Sequence, residues 1–269
     1  MTHSRHAVRE LLTGRGLAPR RDLGQNFVAD PNTVRRIAAL AGVGSDDHVV
    51  EVGAGLGSLT LALLETGATV TAIELDRGLA AALRDVLAGR PDVAVVEADA
   101  MTLDWPTALA GHDEWVLVAN LPYNIATPLV ADLLDGVPAV SRMLVLVQRE
   151  VGERLAAAPG SAAYGAISVK VAFWSAARVV GHVPASVFVP RPNVESALVE
   201  VVRRAPPPVD AAALFALVRK AFGQRRKMLR RSLAGTVTDA QFATAGVAPT
   251  ARPQELDLDA WCRLVDATT

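Results

Sequence analysis

The sequence contains a single cysteine, Cys262, among 269 residues. One thiol excludes an internal disulfide framework and a thiolate metal cluster, and Cys262 is expected as a small buried hydrophobe near the last helix. Aromatic residues are scarce too: 6 Phe, 4 Trp and 2 Tyr leave the core to Ala, Val and Leu. No apolar run reaches the roughly 18 residues that a membrane-spanning helix needs. The N-terminus lacks the apolar centre of a secretory signal. Lysine is nearly missing, with Lys170, Lys220 and Lys227 its only occurrences. Acids are absent from residues 219–231, where seven of thirteen side chains are basic.

What is present fits a soluble globular chain. The hydrophobic fraction is 51% and the charged fraction 20%, enough apolar material for a full core. The length allows one α/β domain and a small appendage. A formal net charge of -1 argues against a protein coated in positive charge, so the distribution of charge carries the information. Besides residues 219–231, the N-terminal stretch with Arg5, Arg9, Arg15, Arg20 and Arg21 is basic. It superficially resembles a transit peptide, but motif-bearing sequence begins by Leu23 and a cytoplasmic enzyme is the expectation. A basic run is most often a solvated helix face. Two separated basic segments would also suit a polyanion crossing the molecule.

Periodicity predicts strands over residues 48–52, 69–73, 93–97, 115–119 and 143–148, with helices over 31–42, 58–64, 78–88 and 127–135 between them. Alternation of this kind implies a parallel, doubly wound, Rossmann-like sheet. Residues 163–175 suit a helix, although their β-branched content also allows a strand. Final strands are expected over 177–183 and 195–203, joined by the extended Phe188-Val189-Pro190-Arg191-Pro192. Pro206-Pro207-Pro208 marks the domain boundary. The expected division is a domain over 1–205, with its basic segment 1–22, and a small helical domain over 206–269 with helices at 210–223, 224–234 and 256–266.

The chemistry begins where the first of these strands ends. Gly53-Ala54-Gly55-Leu56-Gly57 follows a buried strand and opens a helix, a turn that lets backbone approach a ligand. Alone it is also compatible with a plain strand-to-helix turn. Glu74, about twenty residues on, stands at the end of the next strand, where an acid can accept from two ribose hydroxyls of NAD or S-adenosylmethionine. Asp99 follows the third strand and could accept from an adenine amine. Gly-turn, Glu74 and Asp99 in this order fit a methyltransferase. The residue three after Gly55 is Ser58, so the NAD pattern GxGxxG is not met.

Asn120-Leu121-Pro122-Tyr123 ends the fourth strand. The Asn120 side-chain oxygen and the Leu121 carbonyl can accept both hydrogens of an aromatic amine and draw its lone pair toward a methyl group. Pro122 stiffens the turn, and Tyr123 offers a face for stacking a base. No strong general base is required, because the amine becomes acidic as the methyl transfers.

Taken together, these motifs resemble the ribosomal RNA adenine N6,N6-dimethyltransferases, and most closely the bacterial small-subunit branch linked to kasugamycin sensitivity. The resemblance runs from about Leu23 to the C-terminus. It is carried by Leu23-Gly24-Gln25-Asn26-Phe27, Glu51 to Gly57, Ile73-Glu74-Leu75-Asp76 and Asp99-Ala100, and further by Asn120 to Ile125, Phe188 to Pro192 and Phe222 to Lys227. It implies a class I S-adenosylmethionine fold with a C-terminal helical domain. Asn26 and the backbone at Val28 would close over the methionine end of the cofactor. Gly53 and Gly55 would lie against it, Glu74 would hold the ribose, and Asp99 with Ala100 and Asn120 would complete the cofactor site. Asn120, Leu121, Pro122 and Tyr123 would hold the target adenine. Phe188 would sandwich it against Tyr123, unless it is a core Phe ahead of the proline link.

Arg225, Arg226, Lys227, Arg230 and Arg231 would meet phosphates. The implied substrate is two adjacent adenines in the terminal hairpin loop of 16S rRNA within the 30S particle, modified by a monomer without a metal or membrane. Rival readings are the 23S rRNA resistance branch, a non-enzymatic ribosome-assembly or transcription factor on the same fold, and a small-molecule methyltransferase. The last leaves the basic helical domain unexplained.

Overall fold

A computed structural model describes residues 2–20 and 22–268. Arg21, one of the basic N-terminal residues, lies outside the described residues. The strands are β1 (Phe27–Val28), β2 (His48–Val52), β3 (Thr69–Glu74), β4 (Val93–Glu97), β5 (Trp115–Asn120), β6 (Val140–Gln148), β7 (Ser175–Val183), β8 (Phe188–Val189) and β9 (Ser196–Arg203). Seven of them form one sheet in the order β4-β3-β2-β5-β6-β9-β7, and β1 pairs with β8 in a small ribbon. Pairs β4-β3, β3-β2, β2-β5 and β5-β6 are parallel, and β6-β9 is antiparallel. The chain winds outward from β2 in one direction and from β5 in the other, so the topological switch lies between their carboxyl ends. A ligand crevice is expected there.

Why these segments are strands follows from burial. Val49, Val50, Val70, Ala72, Leu117, Val118, Leu144, Val145 and Leu146 are buried, the continuous apolar runs of strands covered on both faces. Local signals set the helix ends. Asp30 caps helix Pro31–Ala41 by accepting from the Thr33 N–H at 2.9 Å, Pro31 occupies its first turn, and Gly42 closes it in the left-handed region. Asp76 caps helix Arg77–Val86 by accepting from the Gly78 and Leu79 N–H groups. The fifth predicted strand is β6, and it leads directly into helix Arg149–Leu155.

Three helices escaped the sequence reading, the shortest of them Trp105–Ala108. Arg5–Gly14 is helical, capped by Ser4, and buries Val8 and Leu12 with Phe27, Leu56 and Leu79. Asp239–Ala245 carries a capping box, Thr238 with Gln241, and a left-handed Gly246 at its end.

The described chain divides into two compact units, Met1–Gly152 with Arg178–Arg203, and Glu153–Ala177 with the chain from Arg204 on. The proline boundary predicted at 205/206 falls close to the second break. The first break, inside what was read as one domain, corrects that division. Its cause is packing: Tyr164, Val169 and Phe173 share a core with Leu214, Phe215, Phe242 and Trp261. Segment 163–175 is a helix, Ala166–Trp174. The helix predicted over 224–234 shrinks to Leu229–Ser232, because Met228 is extended (ψ 149°) and restarts the chain. Cys262 is buried, free, and on the last helix.

Candidate active site

The crevice at the switch point is a cavity of about 310 Å³, built by the loop 23–28, the ends of β2, β3 and β5, and the turns that follow β4 and β5. Such a volume lies at the lower end of ordinary small-molecule sites. Asn26, Val28, Gly53, Gly55, Glu74, Asp99, Ala100, Asn120, Leu121, Pro122 and Tyr123 all line it. Five segments far apart in the chain thus meet at one cavity.

The glycine turn fits close approach. Gly53 has φ +74° and Gly55 φ +58°, a region that other L-residues adopt with strain. A Cβ on Gly53 would meet Pro122 Cδ at 3.2 Å, and one on Gly55 would meet Phe27 Cε1 at 2.9 Å. The turn is thus a bare backbone cradle between the Pro122 turn and the Phe27 ring. Glu74 fastens it. One carboxylate oxygen accepts from the Gly55 N–H at 2.7 Å, and the other from the Asp76 N–H at 2.9 Å. Each oxygen has a second lone pair free to accept from a ligand hydroxyl. Burial pushes the Glu74 carboxyl above the ordinary carboxylate range, against the pull of those two N–H groups. Asp99 forms a tight turn, accepting from the Met101 N–H at 2.9 Å, and the Ala100 carbonyl accepts from Trp105 Nε1 at 3.2 Å.

The target turn is held by more than its own sequence. Asn120 Nδ2 donates to the Asn26 carbonyl at 2.8 Å. A carbonyl can only accept, so this contact fixes which end of the amide is nitrogen and leaves Oδ1 as the acceptor. Asn26 is braced in turn by its own Nδ2, which donates to the Gly24 carbonyl at 3.1 Å. The Leu121 N–H donates to the Leu146 carbonyl at 3.0 Å, which ties the turn to β6. The Ile125 and Ala126 N–H groups close the turn on the Pro122 carbonyl at 3.1 Å each, a closure that does not use the Leu121 carbonyl. Tyr123 is fixed through its hydroxyl, 2.9 Å from Ser196 Oγ at the start of β9.

Phe188 is a correction. It is fully buried in the main core with Val28, Val34 and Leu198, in register with Val28 across the β1-β8 ribbon, and it does not line the cavity. In this structure its ring packs in the core ahead of the proline link, where burial against Val34 and Leu198 holds it. Arg225, Arg226, Lys227, Arg230 and Arg231 are exposed in the second unit and take no part in the cavity lining. Arg225 donates to the Ala162 carbonyl at 2.7 Å.

Some lining residues had no role in the sequence reading. Leu75, 49% exposed at the rim, and Met101 offer apolar surface beside Glu74 and Asp99. Glu51 also lines the cavity, and its signal was visible: a lone acid within an otherwise apolar strand.

The profile of the ribosomal RNA adenine dimethylases matches residues 16–269. The chain belongs to this family. It is similar to ribosomal RNA small subunit methyltransferase A of Acidothermus cellulolyticus, 46% identical over 97% of this chain and 92% of that protein. The proteins of the same name from Cutibacterium acnes (47%, over 97% and 92%) and Rhodococcus opacus (48%, over 96% and 91%) are alike in extent. Among solved structures, the 23S rRNA methyltransferase ErmE is 27% identical, with a TM-score of 0.70 over 90% of this chain and 99% of that one. A dimethyladenosine transferase from Plasmodium falciparum shares the fold at 24% identity, with a TM-score of 0.73 over 87% and 94%. The class I methyltransferase fold expected from the sequence is borne out.

A ribosomal RNA adenine dimethylase takes its methyl groups from S-adenosylmethionine, and the cavity suits that cofactor. The glycine turn, packed too closely on Pro122 and Phe27 to carry a Cβ, brings bare backbone to the cavity wall, and the lining supplies acids for a ribose and an amine. No group of three or more potential metal ligands occurs among the described residues, and no helix there is long and apolar enough to cross a membrane.

Proposed function

We propose that this chain dimethylates the N6 amines of two adjacent adenines in the 3′-terminal hairpin loop of 16S rRNA, with the 30S particle as substrate and partner. It acts as a monomer in the cytoplasm. The observation that carries the chemistry is the Asn120 amide, whose nitrogen is occupied by the Asn26 carbonyl at 2.8 Å.

With its orientation set, Asn120 Oδ1 accepts one amine hydrogen and the Leu121 carbonyl accepts the other. These two bonds favour a pyramidal nitrogen with its lone pair available, a geometry the free, conjugated amine avoids. Because the acceptors are fixed in advance, little reorganisation is needed at the moment of reaction. Tyr123, tethered to Ser196, supplies one stacking face for the adenine; with Phe188 buried, the opposite face of the base takes no ring from β8. Flipping an adenine out costs a few kcal/mol, less in a loop, and stacking offsets part of it. When bound, S-adenosylmethionine supplies an electrophilic methyl on a sulfonium. The new N–C bond forms as the S–C bond breaks, the amine proton passes to solvent, and a second round with fresh cofactor gives the dimethyl product.

Support for the small-subunit substrate comes from relatives of that name at 46–48% identity, against 27% for the large-subunit enzyme ErmE. The intact set of Glu74, Asp99 and Asn120 around the cavity speaks against a binding-only assembly factor. The test is methyl transfer from labelled S-adenosylmethionine to 30S particles, and in parallel to 50S particles or naked 23S rRNA, with nucleoside analysis. Dimethyladenosine at two neighbouring small-subunit positions is the expected result. Labelling of large-subunit RNA alone would transfer the chain to the other branch, and tight RNA binding without labelling would favour an assembly factor.

A further inference from the structure

The cavity is lined by three carboxylates, Glu51, Glu74 and Asp99, and by no Arg, Lys or His among the described residues. Glu74 and Asp99 have been given roles above. Glu51 has none. It lies on β2 and is only 2% exposed. Among the described residues its one side-chain partner is the Thr60 hydroxyl, which donates to Oε2 at 2.5 Å from helix Ser58–Leu64 and is itself fully buried. From β3 the charged group that faces it is Glu74, a like charge. Asp76 stands beyond Glu74 with Arg20 at 3.9 Å, and His3 meets the loop only at the Leu56 carbonyl, 2.9 Å away. Ser58 Oγ, also in the lining, is buried without a hydrogen-bond partner.

A buried carboxylate beside a second carboxylate, with no cation near, holds its charge at a large cost. Burial drives the Glu51 carboxyl up to about 8; the Thr60 hydrogen bond pulls it down, and Glu74 adds to the rise. The methyl donor carries the charge that the cavity lacks. Its sulfonium and its methionine ammonium are both cationic near neutral pH, and the product S-adenosylhomocysteine has lost the sulfonium charge.

We propose that Glu51 stands as a neutral acid in the free enzyme and ionises when the cationic donor enters, so that the cavity selects the sulfonium-bearing donor over its uncharged-sulfur product. This rests on the cofactor assignment above. No bond to the donor forms. The O–H bond of the Glu51 carboxyl breaks, its electron pair stays on oxygen, and the proton goes to the buffer. Once the sulfur is neutral the carboxylate takes a proton back, and the product leaves a site that no longer attracts it.

Calorimetric titration of the full chain with S-adenosylmethionine at pH 7, in buffers of unlike ionisation enthalpy, counts the protons exchanged. Wild type is expected to release roughly 0.9 proton more than Glu51→Gln, the protonated fraction at pH 7 of a group at about 8. The donor's own amine contributes equally to both proteins and cancels. Glu51→Gln keeps the size of the side chain and an acceptor for Thr60. It should bind S-adenosylhomocysteine within about threefold of wild type and the donor about tenfold more weakly, as the loss of one partly screened charge pair predicts.

Equal proton counts in the two proteins overturn the proposal, and so does an equal loss of affinity for both ligands. Should Glu51→Gln bind neither ligand, Thr60→Val takes its place. Removing the donor that steadies the carboxylate is expected to raise the proton count at pH 8 from about one half toward one, and an unchanged count overturns the proposal. A wild type that binds both ligands without releasing protons sinks the proposal alone. One that binds neither removes the cofactor assignment and the proposal together.

Discussion

The acid-lined cavity of the first unit and the basic stretch 219–231 of the second show two ways of meeting a ligand. In the cavity the groups at its centre are already committed: Glu74 to two N–H groups, Asn120 to Asn26, Asn26 to Gly24, Tyr123 to Ser196. The cations of the basic stretch are exposed; Arg219 and Lys220 end helix Ala211–Phe222, turns follow over 223–226, and Arg230 and Arg231 sit on the short helix Leu229–Ser232. Fixed groups can discriminate between ligands that differ by a few atoms. Exposed surface cations neutralise phosphates, and they do so for any sequence. Under the proposed function, specificity for the reacting amine would belong to the first region, and salt-dependent affinity to the second.

The contrast breaks most sharply at Asn120. Asn120→Ala removes the acceptor for one amine hydrogen and frees the Asn26 carbonyl. A preorganised group of this kind is worth about 100- to 1000-fold in rate. Single-turnover transfer should fall by that much while RNA binding is unchanged. Turnover near wild type would remove Asn120 from the amine-holding role. Glu74→Ala comes next. Losing charge-assisted hydrogen bonds to a ribose should weaken cofactor binding by about 1–3 kcal/mol, read by calorimetry. Part of that loss reflects release of the Gly55 and Asp76 N–H groups, so Glu74→Gln, which keeps one acceptor oxygen, should retain more affinity than Glu74→Ala. Unaltered affinity in both variants would refute the ribose assignment.

Proton linkage sharpens the comparison further, because burial raises two acids of the cavity lining. Glu51 is raised from 4.5 to about 8 on folding, and Glu74 is raised as well. Below pH 4.5 Glu51 is protonated in both states and contributes nothing. Between 4.5 and 8 the folded chain binds more protons than the unfolded one, so stability falls as pH rises, and the full penalty stands above 8. His3, pushed down by burial, contributes with the opposite sign near its own titration. The useful quantity is therefore wild type minus Glu51→Gln. Urea unfolding at pH 5.5 and pH 8 should show Glu51→Gln losing less stability over that interval, by on the order of 2 kcal/mol. Parallel curves would mean that Glu51 is not buried as an acid.

How much of this was legible in the sequence differs between the same two regions. The parallel strands, the glycine turn, Glu74, Asp99 and Asn120 were legible because each is a local pattern at a strand end, and the topology brings strand ends together. Phe188 was not, since the same Phe-Val-Pro run serves a core ribbon or an exposed ring, and only the register with Val28 decides. The bond from Asn120 to Asn26 spans 94 residues and has no local trace. In the second unit, composition showed the charge but not the shape. The helix predicted over 224–234 failed at Met228, a backbone conformation that periodicity does not encode. The contribution of 153–177 to that unit rests on Tyr164 and Phe173 packing with residues beyond the prolines, a long-range choice. Asp239–Ala245, by contrast, was announced by Thr238 and Gln241 at capping-box spacing, and the signal was simply passed over.

The smallest expected effect tests the region whose structure says least. Replacing Arg225, Arg226 and Lys227 by Ala removes three exposed cations and no cavity contact. If each neutralises a phosphate, the slope of log affinity against log salt should flatten by about 2–3, and binding at physiological salt should weaken by about tenfold or less. The Arg225 contact to the Ala162 carbonyl complicates the triple variant, because its loss could loosen the 153–177 segment. The pair Arg226→Ala with Lys227→Ala avoids that contact and should flatten the slope by about 1.5–2. Single-turnover transfer at saturating particle should stay near wild type in both variants, since surface charges that only position a polyanion act on binding and not on the reacting amine. A preserved salt slope would mean that these side chains face away from the RNA. A flattened slope accompanied by a fall in the saturated rate would mean that the two regions are not separable, and that the basic stretch helps to seat the adenine in the Asn120 turn.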